Sequence, residues 1–184
     1  MLNDAQRILI SEEELHNIVS RLGAKITEDY KDKNLLLVSV LKGAVVFMTD
    51  LMREVKIPCG IDFMATSSYD GAKSTGVVRI VKDLDIDIEG MDVLIVEDIL
   101  DSGRTLSYIT SILLKRNPAS LKICTLLDKP SARVVNTVKP DYVGAEVEDE
   151  FVIGYGLDYN EKYRNLPCIA ILKKEIYINN GNKE

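Results

Sequence analysis

Apolar and polar positions change period several times along this chain, and each change marks an element. Ser11-Glu12-Glu13-Glu14 has the form of a capping box, a hydroxyl residue with an acid three positions later. Leu15, Ile18, Val19, Leu22 and Ile26 follow at spacings of three and four, which places them on one face of a helix. Asn34 to Leu41 is then apolar almost without interruption, the pattern of a strand covered on both faces. Gly43 to Val55 reads as a helix and Ile57 to Ser67 as a second strand. Ser68 to Gly76 is a polar loop, and the weak alternation of Val77 to Lys82 suits a hairpin partner. Met91 to Ile99 predicts a third strand, Thr105 to Lys115 a helix and Leu121 to Leu127 a fourth strand. Asp141 to Ala145, Phe151 to Tyr155 and Cys168 to Leu172 predict shorter strands, and Asn179 to Glu184 a frayed tail.

Strands that alternate with helices predict an α/β fold with a mainly parallel twisted sheet flanked by helices. No internal repeat, low-complexity segment or Pro/Gly-rich linker divides the chain, so residues 1–184 read as one domain. Its core is expected over about 30–145. The terminal segments, about 1–12 and 146–178, are expected to form a small cap, or hood.

Composition acts mainly by exclusion. Hydrophobic residues make up 46% and charged residues 28%, a globular balance that excludes disorder. The 23 basic and 29 acidic residues leave a net charge of −6, which disfavours general nucleic-acid binding. A divalent cation can still bridge an acidic protein to a polyanion. Cys59, Cys124 and Cys168 are odd in number with no CxxC pair, which argues against a disulfide framework or a cysteine zinc site. All three lie in strand-like apolar runs and read as buried thiols. Met1 to Arg7 lacks the apolar stretch of a signal peptide, and no apolar run approaches the ~18 residues of a membrane span. A reduced, soluble, cytoplasmic protein is expected. The single histidine, His16, falls on the polar side of its helix, so histidine-based nucleophilic catalysis and His-rich metal sites are poorly supported. Carboxylates, lysines, arginines, backbone groups or a bound metal remain to carry chemistry.

The segment from Val93 to Leu106 concentrates such groups. A buried strand runs into Glu97 and Asp98, a third acid follows at Asp101, and Ser102-Gly103-Arg104-Thr105 opens a helix. Ligands of open α/β sheets sit beyond the carboxyl ends of the strands. The N–H groups of residues 102–105 are unpaired donors at the positive end of a helix and suit a phosphate, with Ser102 and Thr105 adding hydroxyls. Gly103 permits a positive φ and a close backbone approach. Neighbouring strand residues point to opposite faces, so both acids need not face one ligand. The plainer reading is that Asp101 or Ser102 only caps the helix. Three acids after an apolar strand weigh against it, because buried carboxylates are costly unless paired or metal-bound.

Other segments stay open on pattern alone. Lys42-Gly43 offers a charge and a close approach, or is an ordinary strand-to-helix turn. Lys129 before Pro130 is a donor at the same sheet end or a solvated lysine, and Phe151 stacks on a flat ligand or belongs to the core. Asp158 could face a metal or a base, and Arg164 is an anion clamp or an exposed arginine. Asp83-Leu84-Asp85-Ile86-Asp87 imitates a calcium loop, but Ile88 replaces the required Gly and Leu94 the required Glu. There is no Walker A motif and no GxGxxG.

Residues 93–105 resemble the phosphoribosyl diphosphate (PRPP) signature of type I phosphoribosyltransferases. That signature is an apolar run, two acids, two apolar residues, a small or acidic residue and a Ser/Thr-Gly turn, ended in several members by Thr. Asp101 as the third acid resembles the 6-oxopurine branch, in which this Asp is the general base near purine N7. Leu41-Lys42-Gly43 resembles the pyrophosphate loop of hypoxanthine phosphoribosyltransferases, where the peptide before the Lys is a non-proline cis bond. The full set of segments follows the order and spacing of the hypoxanthine/guanine phosphoribosyltransferase family over roughly residues 8–177. Arg104 stands where that family tolerates Lys and other residues.

The resemblance implies a Mg2+-dependent purine salvage transferase that makes IMP, and GMP, plus pyrophosphate from hypoxanthine, or guanine, and PRPP. Glu97, Asp98, Asp101, Ser102, Gly103, Arg104 and Thr105 would bind PRPP and its 5′-phosphate. Lys42, Gly43 and Arg164 would bind pyrophosphate. Lys129, Phe151, Val152 and Asp158 would bind the purine, and Glu97, Asp98 and Asp158 the metal. Ser68 and Tyr69 would begin a loop that closes over the reaction. A homodimer or homotetramer is implied, with no nucleic-acid or membrane partner. Rivals are a transferase for another base such as xanthine or a pyrimidine, and a nucleotide-sensing regulator on the same fold. A phospho-receiver module is disfavoured, because its first strand and acid pair would open the domain, whereas about 90 residues precede Val93.

Overall fold

Apolar runs without polar interruption need cover on two faces, and the central strands have it. The protein is described by a computed structural model over residues 1–68 and 78–178. In chain order its elements are β1 (Ala5–Ile10), α1 (Glu12–Asp29), β2 (Leu35–Leu41), α2 (Val45–Glu54), β3 (Cys59–Ser68), β4 (Val78–Lys82), β5 (Asp92–Leu100), α3 (Arg104–Leu114), β6 (Ser120–Asp128), β7 (Tyr142–Glu146), β8 (Val152–Ile153), β9 (Ile169–Leu172) and α4 (Lys174–Ile178). A six-stranded sheet has the order β4-β3-β2-β5-β6-β7, parallel except for the antiparallel edge strand β4.

Side-chain alternation divides the core. Leu35, Leu37, Leu94 and Val96 pack with Leu15, Val19, Leu22, Ile26, Phe47, Met48 and Leu51 of α1 and α2. Leu36, Val38, Val93 and Ile95 point the other way and pack with Leu106, Ile109 and Leu113 of α3. Each fully buried leucine or isoleucine contributes roughly 1.5–3 kcal/mol of transfer free energy, so both helical layers are held to the strands that carry the acids. The capping box is present at the start of α1. Ser11 Oγ accepts the Glu14 N–H at 3.2 Å, and Glu14 Oε2 accepts the Ser11 N–H at 2.7 Å.

A second, antiparallel sheet has the order β1-β9-β8, with Ile8 opposite Ala170 and Val152 opposite Ile171. The predicted strand over 151–155 shortens to two residues, because Gly154, Tyr155 and Gly156 all take positive φ (95°, 51° and 101°) and turn the chain out of the sheet. β1 is not marked by its own pattern, since Gln6, Arg7 and Ile8 are exposed and only pairing with β9 makes it a strand. Most of the predicted polar loop, including Tyr69, and the predicted frayed tail from Asn179 lie outside the described residues.

Cys124 and Cys168 are buried. Cys59, at the start of β3, is only half-buried, so the expectation of three buried thiols is corrected there. Burial pushes all three thiols above the ordinary cysteine range. His16 is exposed on α1. No helix among the described residues is long and apolar enough to cross a membrane.

Candidate active site

β5 lies between β2 and β6, so its carboxyl end opens at the middle of the sheet. Glu97 and Asp98 leave the buried run Val93–Val96 there, each half-buried. By alternation Asp98 shares the α1/α2 side of Leu94 and Val96, and Glu97 the α3 side of Val93 and Ile95. Asp98 Oδ1 accepts the Ile99 N–H at 2.7 Å. Burial raises the Asp98 carboxyl to about 6, against the opposing pull of that N–H and of Arg164. Glu97 Oε2 is buried with no hydrogen-bond partner among the described residues. Burial, then the negative charges of Asp98 and Asp101, hold Glu97 well above the usual carboxylate range. A buried carboxylate oxygen without a donor is costly.

Past β5 the chain turns through Gly103, whose φ is 79°, directly into α3, and no side chain among the described residues caps the helix. Uncapped first-turn N–H groups are an anion site. A pocket of about 200 Å³ lies here, lined by Glu97, Asp98, Asp101, Gly103, Thr105 and Leu106 among others. Asp101 is exposed, and its Oδ1 accepts the Ser102 N–H at 2.5 Å and the Ser102 hydroxyl at 3.3 Å. The expectation that all four N–H groups of 102–105 are free is therefore corrected at Ser102, because the neighbouring carboxylate reaches back to it. Arg104 is exposed and Thr105 half-buried.

The 101–103 turn is braced from behind. Arg133 Nε donates to Asp101 O at 2.8 Å, and its other nitrogens reach Leu100 O, Val138 O and the Asp128 carboxylate. The N–H groups of Val134 and Val135 donate to Ser102 O at 3.0 and 2.9 Å.

The peptide between Leu41 and Lys42 is cis. A Cβ on Gly43 would lie 1.9 Å from Asp98 Oδ2, and one on Gly156 would lie 2.0 Å from Gly43 O. Only residues without side chains allow the 42–44 turn to sit between Asp98 and the 154–157 turn. Arg164 Nη1 donates to Gly156 O at 2.8 Å, and Nη2 lies 2.9 Å from Asp158 Oδ1 and 3.3 Å from Glu161 Oε2. The same Glu161 oxygen lies 3.2 Å from Lys42 Nζ. Lys42 first, then Arg164, hold the Glu161 carboxyl below its ordinary range. Tyr155 OH donates to Asp50 Oδ2 of α2 at 2.5 Å, a second tie between this segment and the main sheet's layer.

Lys129 follows β6, and its Nζ donates to Glu150 O at 2.8 Å and lies 3.4 Å from Asp149 Oδ1. That bond brings Lys129 beside the half-buried Phe151. Phe151 meets Tyr159 edge-on (5.5 Å, 89°) and stacks with Tyr177 of α4 (5.1 Å, 24°), an offset aromatic arrangement. Val152 is buried in β8.

Three groups of predicted residues are thus gathered. Glu97, Asp98, Asp101 and the 102–105 turn form one, Lys42, Gly43, Asp158 and Arg164 another, and Lys129, Phe151 and Val152 the third. Glu97, Asp98 and Asp158 are not gathered as a single metal cage. Among the described residues no three His, Cys, Asp or Glu groups stand together in that way. Asp158 is engaged by Arg164 and by the Glu161 N–H at 2.9 Å, and the two β5 acids point to opposite faces. Sequence reading missed Glu161, which reaches the site from a turn, and Arg133, which lies in a polar stretch without periodicity. A larger cavity, about 650 Å³, lies between α1, α2 and residues 155–167, and of the predicted residues it includes Arg164 alone.

Residues 11–160 match the model of the phosphoribosyl transferase domain. The chain is 54% identical over 178 residues to the bifunctional protein TilS/HprT of Listeria monocytogenes, covering 96% of this chain but 27% of that protein, so it spans about a quarter of that relative's length. It is 53% identical to a hypoxanthine-guanine phosphoribosyltransferase of Staphylococcus epidermidis, over 96% of this chain and 99% of that one. A solved hypoxanthine phosphoribosyltransferase structure from Staphylococcus aureus superposes with a TM-score of 0.91 at 51% identity over 95% of each chain.

Proposed function

The chain belongs to the phosphoribosyl transferase domain family, and from that premise we propose that it is a purine salvage enzyme. It joins hypoxanthine, and guanine, to PRPP and releases IMP or GMP with pyrophosphate. The observation that carries the reading is the pairing of an unsatisfied buried carboxylate at Glu97 with the uncapped start of α3 across one pocket. Such a bipolar site fits a phosphorylated sugar, whose hydroxyls and phosphate call for opposite partners.

In this reading the 5′-phosphate lies on the 102–105 turn, and Glu97 and Asp98 hold the ribose hydroxyls directly or through metal and water. The hard carboxylate donors of Glu97 and Asp98, one with an orphaned buried oxygen, fit Mg2+, which keeps several water and substrate oxygens and needs no closed protein cage. Bound Mg2+ would neutralise the charge of PRPP and of the leaving pyrophosphate. Asp158 is a further candidate ligand once it is released from Arg164.

The purine displaces pyrophosphate at C1′ as the C1′–O bond breaks, and Asp101 accepts the N7 proton. Help of this kind is typically worth ~10²–10⁴-fold. Lys42, the Gly43 N–H and Arg164 stabilise the departing pyrophosphate. Lys129 donates to the purine 6-oxo group, Phe151 stacks on the ring, and the Val152 backbone and Asp158 read its edge. The terminal segments act as a hood, and the loop from Ser68 and Tyr69 excludes water that would otherwise hydrolyse PRPP. The working protein is a homodimer or homotetramer.

A spectrophotometric assay with PRPP, Mg2+ and hypoxanthine, guanine or xanthine in parallel tests the reading. Nucleoside monophosphate formation with hypoxanthine is expected. PRPP binding without turnover of any purine would leave the nucleotide-sensing regulator instead.

A further inference from the structure

Lys42 and Arg164 are contributed by segments more than a hundred residues apart, and one carboxylate oxygen joins them. Glu161 Oε2 lies 3.2 Å from Lys42 Nζ and 3.3 Å from Arg164 Nη2. We propose that Glu161 is an internal competitor for the pyrophosphate subsite: its carboxylate stands on both cations in the ligand-free protein and is displaced when a diphosphate arrives. The proposal rests on the reading above of Lys42 and Arg164 as pyrophosphate-binding groups.

Several observations support a displaceable contact. Asn160 and Glu161 both take positive φ (51° and 59°) in a turn closed by Tyr159 and Lys162, which exchange backbone hydrogen bonds of 3.2 and 3.1 Å. The Glu161 N–H is fixed on Asp158 Oδ2 at 2.9 Å, so the backbone aims the side chain while the carboxylate itself stays 66% exposed. Exposed ion pairs are weak and screened by salt; Lys42 is as exposed as Glu161, whereas Arg164 is 25% exposed. Arg164 also donates to Gly156 O at 2.8 Å, so it keeps its place when Glu161 swings away. A tethered carboxylate competes at an effective concentration of ~mM or more. It therefore covers the two cations against stray anions, yet yields to a diphosphate that reaches both. For the reaction this weakens the hold on PRPP and on pyrophosphate alike and speeds release of the product.

The test is calorimetric titration of Mg2+-pyrophosphate into the intact wild-type protein and into E161Q, with steady-state kinetics on both. E161Q is expected to bind pyrophosphate about three- to ten-fold more tightly, the gain from removing the two competing ion pairs. The KM for PRPP falls in parallel and the KM for hypoxanthine stays put. The gap between the two proteins narrows as KCl rises from about 20 mM to about 0.5 M. A side chain that merely supported the turn would weaken binding when removed. Equal or weaker pyrophosphate binding by E161Q, or a gap indifferent to salt, overturns the proposal while the site reading stands. If neither protein binds pyrophosphate, the subsite reading falls and the proposal falls with it.

Discussion

Asp98 and Gly43 meet with no room for a side chain between them, since a Cβ on Gly43 would lie 1.9 Å from Asp98 Oδ2. Gly43→Ala must therefore push the carboxylate or the 42–44 turn aside. Overpacking of this kind costs about 1–3 kcal/mol of stability, and a displacement near 1 Å in a site costs about 10²-fold in rate. A fall of that order in kcat/KM for PRPP is expected, with the melting temperature reporting the smaller stability loss. Activity within twofold of wild type would show that the contact does not position the site.

Asp101→Asn keeps a side-chain oxygen for the Ser102 N–H but cannot take up a proton as a carboxylate does. A loss of about 10²–10⁴-fold in kcat is expected, with the affinity for IMP changed far less. Single-turnover kinetics beside IMP titration separates the two. An unchanged kcat would remove Asp101 from the chemistry.

The acid pair gives the metal-free protein a pH signature. Asp98 titrates near 6 in the folded chain and near ~3.9 when unfolded, so the folded state binds more protons between those values. Its raised pKa therefore disfavours folding above pH ~6, by on the order of 3 kcal/mol, and the penalty fades as the pH falls toward ~4. In chelator-treated buffer, Asp98→Asn is expected to be more stable than wild type at pH 8 and to lose most of that advantage as the pH falls to ~4. Parallel stability curves in urea would contradict the shift.

Arg133 is 11% exposed and ties Asp128 to the backbone of the 100–101 turn. Arg133→Met strands the Asp128 carboxylate, and breaking such a pair costs about 3–5 kcal/mol. The loosened turn also predicts a raised KM for PRPP with the KM for hypoxanthine less affected. Denaturant titration and the two KM values check both parts.

Local regularity explains what could be read in advance. β2 and β5 are buried on both faces, so their apolar runs needed no partner to be recognised, and the Ser11 capping box is complete within four residues. The acids of 97–101 were visible because carboxylates are out of place at the end of a buried strand. β1 was hidden because its exposed side chains leave only a backbone pairing with β9, some 160 residues away. Arg133 and Glu161 were hidden for a related reason, since their partners are carbonyls and charges brought near by tertiary folding. The pairing of Asp158 with Arg164 was hidden as well, because spacing along a chain does not say which arginine a carboxylate meets.

The meeting of Gly43 and Gly156 bears on how this site tolerates mutation. Two main chains touch there, so this contact itself involves no side chain, while Tyr155 and Arg164 tie the same turn from elsewhere. Substitution at Lys42 changes which charges are offered and leaves that backbone contact in place. Substitution at either glycine removes no charge but displaces the groups packed against it. Variation in this region thus falls into two kinds, one that alters what the site binds and one that alters whether there is a site.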